Sequence, residues 1–472
     1  MKHMICGALI ALTLPGMASA QEDGEIFVKE YDDGGVYEGT FRGGLQHGTG
    51  TYRLPNGYEY AGEWVDGQIQ GQGQATFASG SVYVGEFVAG KPEGQGRITF
   101  PDGSTYEGEW ADGQITGEGV ATYAGGIVHS GQFRDGRLHG QGRMETESGY
   151  VYEGEWVNGE REGQGTITDP DGAVYVGQVA GGLREGEGTL TFPDGTVYEG
   201  QWAANQLSGE GQLTMPGGDV YEGAFENGVR QGQGRIAYAN GDVYEGAFAA
   251  DLREGQGTFT AADGYRYEGS WVAGQIEGQG TETRPDGATY TGSFRDGAPD
   301  GTGRIAFAEG GVYEGEWVAG VIEGEGRYEY PGGQVYEGTL RGGAPHGTGT
   351  MTYPDGYTYA GTWSDGLREG EGRAEYADGW VYEGGFLANQ RHGTGRLETP
   401  DGFSYEGEWL EGEIHGRGTA TYATGDVYEG EFRAGKRQGE GVIRYASGEV
   451  REGLWENGGL VEETPTSGAT DG

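Results

Sequence analysis

The sequence predicts an all-β protein that forms an elongated, single-sheet antiparallel meander of about 18–19 stacked β-hairpins, each 23 residues long. A pattern exemplified by Tyr106 to Thr122 (YEGEWADGQITGEGVAT) recurs in steps of 23 from Tyr37 to Arg451 without insertion or deletion. A fixed period of this length indicates stacked repeats. Each unit also contains two short runs of period two, which is typical of strands. Short glycine-rich segments separate the runs, and no segment has a helical period.

The composition agrees with an ordered repeat array. The chain has 105 glycines and 14 prolines in 472 residues, a level that can indicate disorder. Most of the glycines, however, occupy positions +2, +7, +11, +13 and +20, counted from the aromatic residue that we call position 0. The net charge of -45 repels nucleic acid and anionic membranes. We therefore expect no nucleic-acid partner.

The first twenty residues predict a secretory signal peptide. Lys2 precedes an apolar run, Met4 to Leu14, and Ala18 to Ala20 resembles a cleavage site. We expect cleavage after Ala20, export to the periplasm or beyond, and loss of the only cysteine, Cys6. The remaining organisation is predicted as a capping segment at 21–36, a repeat array at 37–461 and a disordered tail at 462–472.

The unit predicts two strands and two turns. The first strand carries an aromatic residue at position 0, Gly at +2 and Trp or Phe at +4. The second places apolar residues at +15 and often +17, as at Ile98 and Phe100. Position +7 is nearly always Gly. Its exceptions, Asn205, Asp251 and Asn389, are residue types that tolerate positive φ, so we expect a left-handed backbone there. The second turn is often Pro-Asp-Gly, a turn-forming sequence.

Residue parity predicts two different faces. Positions 0, +2 and +4 share one face with +11, +13, +15 and +17 of the partner strand. Aromatic rings on this face would alternate with bare glycines, and close approach of a ring to the backbone is the expected reason for the glycines. The opposite face carries Glu at +1 and often Arg at +14, for example Arg97, Arg235 and Arg304.

These residues resemble the MORN repeat (membrane occupation and recognition nexus), whose 23-residue unit reads Tyr-x-Gly-x-Trp/Phe, then Gly, then Gly-x-Gly. The resemblance runs from residue 37 to about 458. It implies single-sheet ribbons of hairpins with roles in dimerisation, scaffolding and, in some members, phospholipid contact.

Several repeats depart from the pattern, and we expect softer stacking around 129–179 and 282–284 because low contact density lowers local stability. The departing residues are His129 at position 0, Val179 and Leu340 at +4, Glu282 at +15, and Asp169 and Arg284 at +17.

No catalytic, cofactor or metal site is predicted. Five of the six histidines after residue 20 occupy position +10, which we interpret as a polar loop position. Glu pairs such as Glu107 and Glu109 recur on a flat face, whereas paired-carboxylate catalysis needs one pocket with two different environments. The Gly-x-Gly pairs open no helix, so they are not phosphate-binding loops. The histidines are His47, His129, His139, His346, His392 and His415.

The leading functional hypothesis is a non-enzymatic, secreted or periplasmic scaffold that binds a protein partner or forms a homodimer at the cell envelope. Two interpretations of the aromatic face remain open: it is an interaction surface, or its rings only cover glycine backbone. The alternatives are peripheral binding to envelope phospholipid and, third, a cell-envelope enzyme. Candidate interaction residues are the extra rings two residues before position 0, namely Tyr58, Tyr150, Tyr265, Tyr357, Trp380 and Phe403.

Overall fold

A computed structural model describes residues 25–464, and over this range the chain contains 39 strands and no helix. Within each of the two compact units described below, strands that follow each other in the sequence pair antiparallel, so the chain is a meander. The prediction of an all-β antiparallel meander of stacked hairpins is confirmed. The predicted signal peptide lies outside the described residues.

The chain divides into two compact units between Leu207 and Ser208. The first unit contains β1 (Phe27–Glu30), β2 (Val36–Arg42), β3 (Leu45–Arg53), β4 (Glu59–Val65), β5 (Gln68–Thr76), β6 (Val82–Val88), β7 (Lys91–Thr99), β8 (Thr105–Ala111), β9 (Gln114–Thr122), β10 (Val128–Arg134), β11 (Arg137–Glu145), β12 (Val151–Val157), β13 (Glu160–Thr168), β14 (Val174–Ala180), β15 (Leu183–Thr191) and β16 (Val197–Ala203).

The second unit contains most of β17 (Gln206–Thr214), followed by β18 (Val220–Glu226), β19 (Val229–Ala237), β20 (Val243–Ala249), β21 (Leu252–Thr260), β22 (Arg266–Val272), β23 (Gln275–Thr283), β24 (Thr289–Arg295), β25 (Ala298–Ala306), β26 (Val312–Val318), β27 (Val321–Glu329), β28 (Val335–Arg341), β29 (Ala344–Thr352), β30 (Thr358–Ser364), β31 (Leu367–Glu375), β32 (Val381–Leu387), β33 (Gln390–Glu398), β34 (Ser404–Leu410), β35 (Glu413–Thr421), β36 (Val427–Arg433), β37 (Lys436–Arg444), β38 (Val450–Glu456) and β39 (Gly459–Glu463).

Each 23-residue hairpin closes through a two-residue turn at positions +6 and +7. Asn205, Asp251 and Asn389 have φ of 69°, 68° and 71°, so the left-handed backbone predicted at +7 is confirmed. Position +6 is left-handed as well, as at Ala319 (φ 47°) and Glu411 (φ 50°). Two consecutive positive φ values define the type I′ turn, whose twist matches that of paired strands. The second value was not predicted, although many repeats carry Asp-Gly or Asn-Gly at these two positions, as at Asp112 and Asn158. In the repeats with alanine or glutamate at +6 the residue type gives no such signal.

The second turn, at positions +17 to +21, is closed by hydrogen bonds. In the repeat that starts at Tyr83, the Phe100 amide donates to the Ser104 carbonyl at 2.8 Å, and the Gly103 amide donates to the Phe100 carbonyl at 3.0 Å. Asp102 Oδ1 accepts from the Ser104 amide at 2.9 Å, so this aspartate forms the turn. Phe100 lies within the turn, and the second strand therefore ends at +16, one residue before the predicted apolar position +17.

The position 0 ring lies flat over a pair of glycines in its own hairpin. Gly154 pairs with Gly165 in β12 and β13, next to the pair formed by Tyr152 and Ile167. A Cβ added to Gly165 would lie 2.5 Å from Tyr152 Cε2, and one added to Gly154 would lie 2.6 Å from the Gly165 Cα. The Tyr152 hydroxyl donates to the Glu155 carbonyl at 2.9 Å. The glycines at +2 and +13 therefore make room for the ring, as predicted.

The glycine at +11 has a different role from the one predicted. In the same hairpin the register shifts between Gly154 and Trp156, so that Trp156 pairs with Arg161. Gly163, at +11, has φ of 70° and lies in the irregular stretch of β13. Its positive φ lets the strand bulge, which glycine permits without a steric cost. The second strand also begins at +8, three residues before the Gly-x-Gly where we expected it to start.

The two end strands lack part of the repeat pattern. In β1, Phe27 pairs with Gly39, where interior repeats place a glycine, and its ring contacts Phe41 with centroids 6.4 Å apart. At the other end, Glu462 and Glu463 belong to β39, which pairs with β38. The predicted disordered tail at 462–472 is therefore wrong for these two residues, since they hydrogen-bond to a neighbouring strand. Residues 465–472 lie outside the described range.

We expect Gly165→Ala to destabilise the hairpin of β12 and β13 by about 1 to 3 kcal/mol, because the new methyl group would overlap the Tyr152 ring. Hydrogen exchange of amides 152–168, measured by mass spectrometry, would detect the local loss of protection. Gly125→Ala is the control, because a Cβ there meets no atom within 4 Å. Equal exchange in the two variants would contradict the steric role of Gly165.

The turn geometry predicts a stabilising substitution. Ala319→Asn would place the sequence Asn-Gly in a type I′ turn, and we expect a gain of about 0.5 to 1 kcal/mol because asparagine tolerates the left-handed conformation. The reciprocal control is Asn158→Ala, at the same position of another repeat (φ 53°), which should lose a similar amount. Denaturant titration of both variants measures the change. The same sign for both would refute the assignment.

Candidate functional site

The aromatic row at positions 0 and +4 is buried by the repeats themselves. Tyr152 is 0% exposed and Trp156 is 4% exposed, and their rings meet edge to face with centroids 5.3 Å apart. Tyr175 contacts Trp202 of the following repeat in the same way, at 5.2 Å. Burial raises the pKa of Tyr152 to about 12. For this row, the interpretation that the rings cover glycine backbone is therefore the correct one.

Arginines at position +9 complete the cover of the aromatic row. The Arg437 guanidinium lies 4.2 Å from the Trp455 ring centroid and 5.6 Å from that of Tyr428. Arg391 lies 4.3 Å from Trp409. These are cation–π distances, so the guanidinium groups interact with the protein's own rings. Five other +9 arginines make similar contacts, namely Arg161, Arg184, Arg230, Arg253 and Arg368.

The six candidate rings lie at one margin of the aromatic face, beside the second turn. They are half-buried, except that Trp380 is 41% exposed. The margin also includes the rings at +17: Tyr357 contacts Tyr376 at 4.9 Å, and Phe403 contacts Tyr422 at 5.7 Å. We call the rings at positions +17 and −2 (two residues before position 0) the aromatic edge. The +17 rings were not among the predicted interaction residues, although their parity already placed them on this face.

In the second unit the aromatic edge comprises Tyr238, Tyr265, Phe307, Tyr330, Tyr353, Tyr357, Tyr376, Trp380, Phe403, Tyr422 and Tyr445. In the first unit Tyr58 contacts Phe77 at 6.1 Å, and the Tyr150 hydroxyl accepts a hydrogen bond from Arg161. Both of these candidate rings therefore pack against a neighbouring side chain.

One cavity of about 420 Å³ opens at the aromatic edge of the second unit. The rings of Tyr238 and Phe259 line it together with Arg253, whose Nη2 donates to the Tyr238 hydroxyl at 2.6 Å. Asp219 and Asn240 contribute polar groups. This cavity combines ring faces with fixed hydrogen-bonding groups.

The opposite, charged face carries a groove in each unit. In the second unit a groove of about 1090 Å³ is lined by glutamates, arginines and paired glycines of the repeats between 371 and 452; we call it the charged groove. The first unit has one of about 990 Å³ between 95 and 153. Cross-strand pairs such as Arg327 with Glu337, at 3.1 Å, are half-exposed. Exposed pairs of this kind contribute at most about 1 kcal/mol.

The histidines at position +10 lie in strands beside the first turn, which corrects the loop position that we predicted. His47 Nδ1 accepts from the Asp66 amide at 3.4 Å, and His346 Nδ1 accepts from the Asp365 amide at 3.4 Å. Other repeats use a carboxylate instead, as where Glu93 accepts from the Asp112 amide at 2.9 Å. The side chain at +10 thus accepts a hydrogen bond from the +6 backbone amide in the first turn of the following repeat. This bond explains why polar residues occupy +10.

Between residues 25 and 464, no group of three or more His, Cys, Asp or Glu side chains is arranged to hold a metal ion. In the same range, no helix has the length and apolar character needed to cross a membrane. Glu107 is exposed and lines the groove of the first unit, whereas Glu109 is absent from its lining, so the groove does not bring these two carboxylates together as paired-carboxylate catalysis requires.

His129 is a position 0 residue that titrates near neutral pH. Its ring is half-buried and lies 4.9 Å from Tyr123 and 5.5 Å from Trp156. Burial lowers its pKa below the ordinary value of 6.5. The folded state therefore binds fewer protons than the unfolded state, and stability is lost as the pH falls through 6.5.

We expect amides 128–145 to lose protection between pH 7 and pH 5, relative to amides 151–168, after correction for intrinsic exchange rates. His129→Tyr should abolish this pH dependence, whereas His392→Gln, at position +10, should leave it unchanged. Protection of amides 129–179 and 282–284 at pH 7, compared with that of the other repeats, tests the softer stacking expected there. If the protection of amides 128–145 in the unmodified chain does not depend on pH, the proposed titration of His129 is contradicted.

Comparison with known proteins identifies the repeats. The MORN repeat profile matches residues 37–57, 60–82, 83–105, 106–128, 129–149, 152–174, 175–197, 198–220, 221–243, 244–264, 267–289, 290–312, 313–335, 336–356, 359–381, 382–403, 405–427 and 428–450. Alsin from Rattus norvegicus is 45% identical over 56 residues, and Alsin from Homo sapiens is 41% identical over 56 residues. Each match covers 11% of this chain and 3% of Alsin, so the chain spans a small part of these curated relatives.

Similarity to solved structures is low. The SAS-4 (dCPAP) TCP domain of Drosophila melanogaster, in complex with a proline-rich motif of Ana2 (dSTIL), has a TM-score of 0.21 and 15% identity, covering 45% of this chain and 99% of that chain. A streptogramin B lyase has a TM-score of 0.12 and 10% identity, covering 57% and 90%. Scores at this level carry no functional information. The eighteen profile matches extend over most of the sequence, and the chain belongs to the MORN repeat family.

Proposed function

We propose that this chain is an exported, non-enzymatic scaffold that binds a protein partner, and that the charged groove receives an extended basic segment of that partner. The row of position +1 glutamates along the groove, Glu383, Glu406, Glu429 and Glu452, carries the proposal. Within residues 25–464, only Glu429 of this row has an ion pair, with Arg444 at 3.5 Å. Three carboxylates are therefore available to a cationic partner.

The spacing of this row suits an extended polypeptide. Neighbouring strands lie about 4.8 Å apart and each repeat has two, so the glutamates recur about every 9.6 Å. A polypeptide in the extended polyproline II conformation has three residues per turn and rises about 3.1 Å per residue, so every third side chain of such a polypeptide crossing the strands would face a glutamate. Lys or Arg at that spacing would pair with the row. The net charge of -45 would also attract a basic partner before contact.

Several observations support the remaining parts of this proposal. The signal-peptide pattern at residues 1–20 supports export, although it lies outside the described residues. The repeated, solvent-exposed carboxylates support a binding role over catalysis, because an enzyme needs a unique site with tuned groups. The position 0 rings are buried and offer no apolar surface to a partner, whereas the charged groove is open to solvent.

A peptide-binding experiment tests the groove. Two labelled peptides of identical composition are titrated with the mature chain: one has lysine at every third position among serine and threonine, and the other has its lysines adjacent. We expect tighter binding of the spaced peptide. Replacing Glu383, Glu406 and Glu452 with Gln should weaken this binding about tenfold, which corresponds to about 1.4 kcal/mol.

The matched control replaces Glu309, Glu411 and Glu413 with Gln, which changes the net charge equally outside the groove lining. Equal weakening in the control, or equal affinity for both peptides, would contradict the proposed groove. Co-sedimentation with vesicles of phosphatidylglycerol and phosphatidylethanolamine, without peptide binding, would favour phospholipid contact. A dimer that the groove variant abolishes in light scattering would identify a second copy as the occupant instead.

A further inference from the structure

The aromatic edge of the second unit has rings that the buried aromatic row does not use. Tyr328, at position +15, and Tyr330 stack with centroids 4.1 Å apart and planes inclined by 15°. Tyr357 contacts both Tyr353, at 5.2 Å, and Tyr376, at 4.9 Å. These rings are half-buried, so packing holds them in place while part of each ring stays accessible to solvent. An accessible and immobilised ring is a ready stacking surface.

Arginines at position +9 hold some rings of the aromatic face in place through cation–π contacts and hydrogen bonds. The Arg253 guanidinium lies 4.9 Å from the Tyr244 centroid and 5.3 Å from that of Phe259. Its Nη2 also donates to the Tyr238 hydroxyl at 2.6 Å. Arg368 hydrogen-bonds to the Tyr357 hydroxyl in the same manner. The arginine orients the tyrosine, and little conformational entropy is lost when a ligand stacks on it.

Fixed polar groups surround the cavity at Tyr238 and Phe259. Asp219 Oδ1 accepts from the Ala239 amide at 2.9 Å, which orients the carboxylate, and its Oδ2 has no partner within the described residues. Asn240 Nδ2 donates to Asp242 Oδ2 at 2.9 Å, and Asp242 Oδ1 accepts from the Ala262 amide at 2.9 Å. The rim is therefore rich in hydrogen-bond acceptors that the turns hold in fixed positions.

This combination selects a ligand class. A flat ring face attracts apolar C–H groups, while carboxylates and amides bind hydroxyl groups. A pyranose sugar presents C–H groups on its faces and hydroxyls around its rim. The acidic rim and the net charge of -45 disfavour phosphates and other anions. A fatty chain would leave the acceptors of the rim unpaired at a cost.

The repeat spacing extends the same chemistry along the chain. From Phe307 to Tyr445 each repeat carries a ring of the aromatic edge, about every 9.6 Å, a spacing similar to the length of a β-linked disaccharide. Tyr238 and Tyr265 lie in two adjacent repeats before this row, and the repeat that starts at Tyr267 has no such ring. A polysaccharide could therefore stack on successive repeats, and several weak contacts on one chain raise the overall affinity.

We propose that the aromatic edge of the second unit binds a neutral β-linked polysaccharide, and that the cavity at Tyr238 and Phe259 holds one of its pyranose rings. This site lies on the aromatic face and is separate from the charged groove, so the inference is independent of the proposed function.

Isothermal titration calorimetry of the mature chain with neutral hexaoses tests the proposal, using β-1,4-linked N-acetylglucosamine and β-1,4-linked glucose. We expect binding of at least one hexaose, with the monosaccharide much weaker. Tyr238→Ala and Tyr265→Ala, in adjacent repeats that one hexaose can span, should each weaken binding about tenfold through loss of a stacking surface. Tyr238→Phe should retain most of the affinity.

Leu367→Ala is the control, since Leu367 is an exposed apolar residue (42%) at the first-turn margin, and it should leave hexaose binding unchanged. Unaltered thermal unfolding would show that the variants are folded. The absence of binding for both hexaoses at millimolar concentration, or equal binding by Tyr238→Ala, would overturn the proposal. Competition of the hexaose with a lysine-rich peptide would also count against two separate sites, whereas peptide binding without hexaose binding would leave only the groove.

Discussion

The contact between a tyrosine ring and a pair of glycines is the interaction on which the rest of the structure depends. A single sheet has no second layer to cover its apolar face, so each hairpin must bury its own ring. Tyr152 does so by lying over Gly154 and Gly165, with its hydroxyl bonded to the Glu155 carbonyl. Trp156 packs edge to face against the Tyr152 ring, and the Trp156 Nε1 donates to the Gly142 carbonyl of the preceding repeat at 3.0 Å. Burial and polar satisfaction are thus achieved between nearest neighbours, and stability is a sum of repeat terms.

The burial of each ring between neighbouring repeats determines where ligands can bind. The rings at positions 0 and +4 are closed by their neighbours and by the +9 arginines, so they offer no apolar surface. What stays open is the margin beside the second turn and the charged face. The two surfaces differ in chemistry: the first combines half-exposed rings with acceptors, while the second presents rows of carboxylates.

Repeats that depart from the pattern compensate locally. Val179 and Leu340 replace an aromatic residue at +4 but remain 2% and 1% exposed. Asp169 replaces an apolar residue at +17 and forms an ion pair with Arg184. Glu282 pairs with Arg284 of the same repeat at 3.2 Å. Paired substitutions of this kind keep a polar residue from being left unsatisfied, which would cost more than the pair contributes.

The sequence by itself determined the period, the strand pairs, the left-handed position +7, and the packing role of the glycines at +2 and +13. These follow from local chemistry that repeats in every unit. Only the tertiary structure decided the rest. The left-handed backbone at +6 in repeats that carry alanine there, as at Ala319, and the bulge at Gly163 depend on how paired strands twist. The role of position +10, at His47, depends on the turn of the next repeat. The division between buried rings and the aromatic edge is set by contacts between repeats, because burial is a property of neighbours that one unit's sequence does not contain.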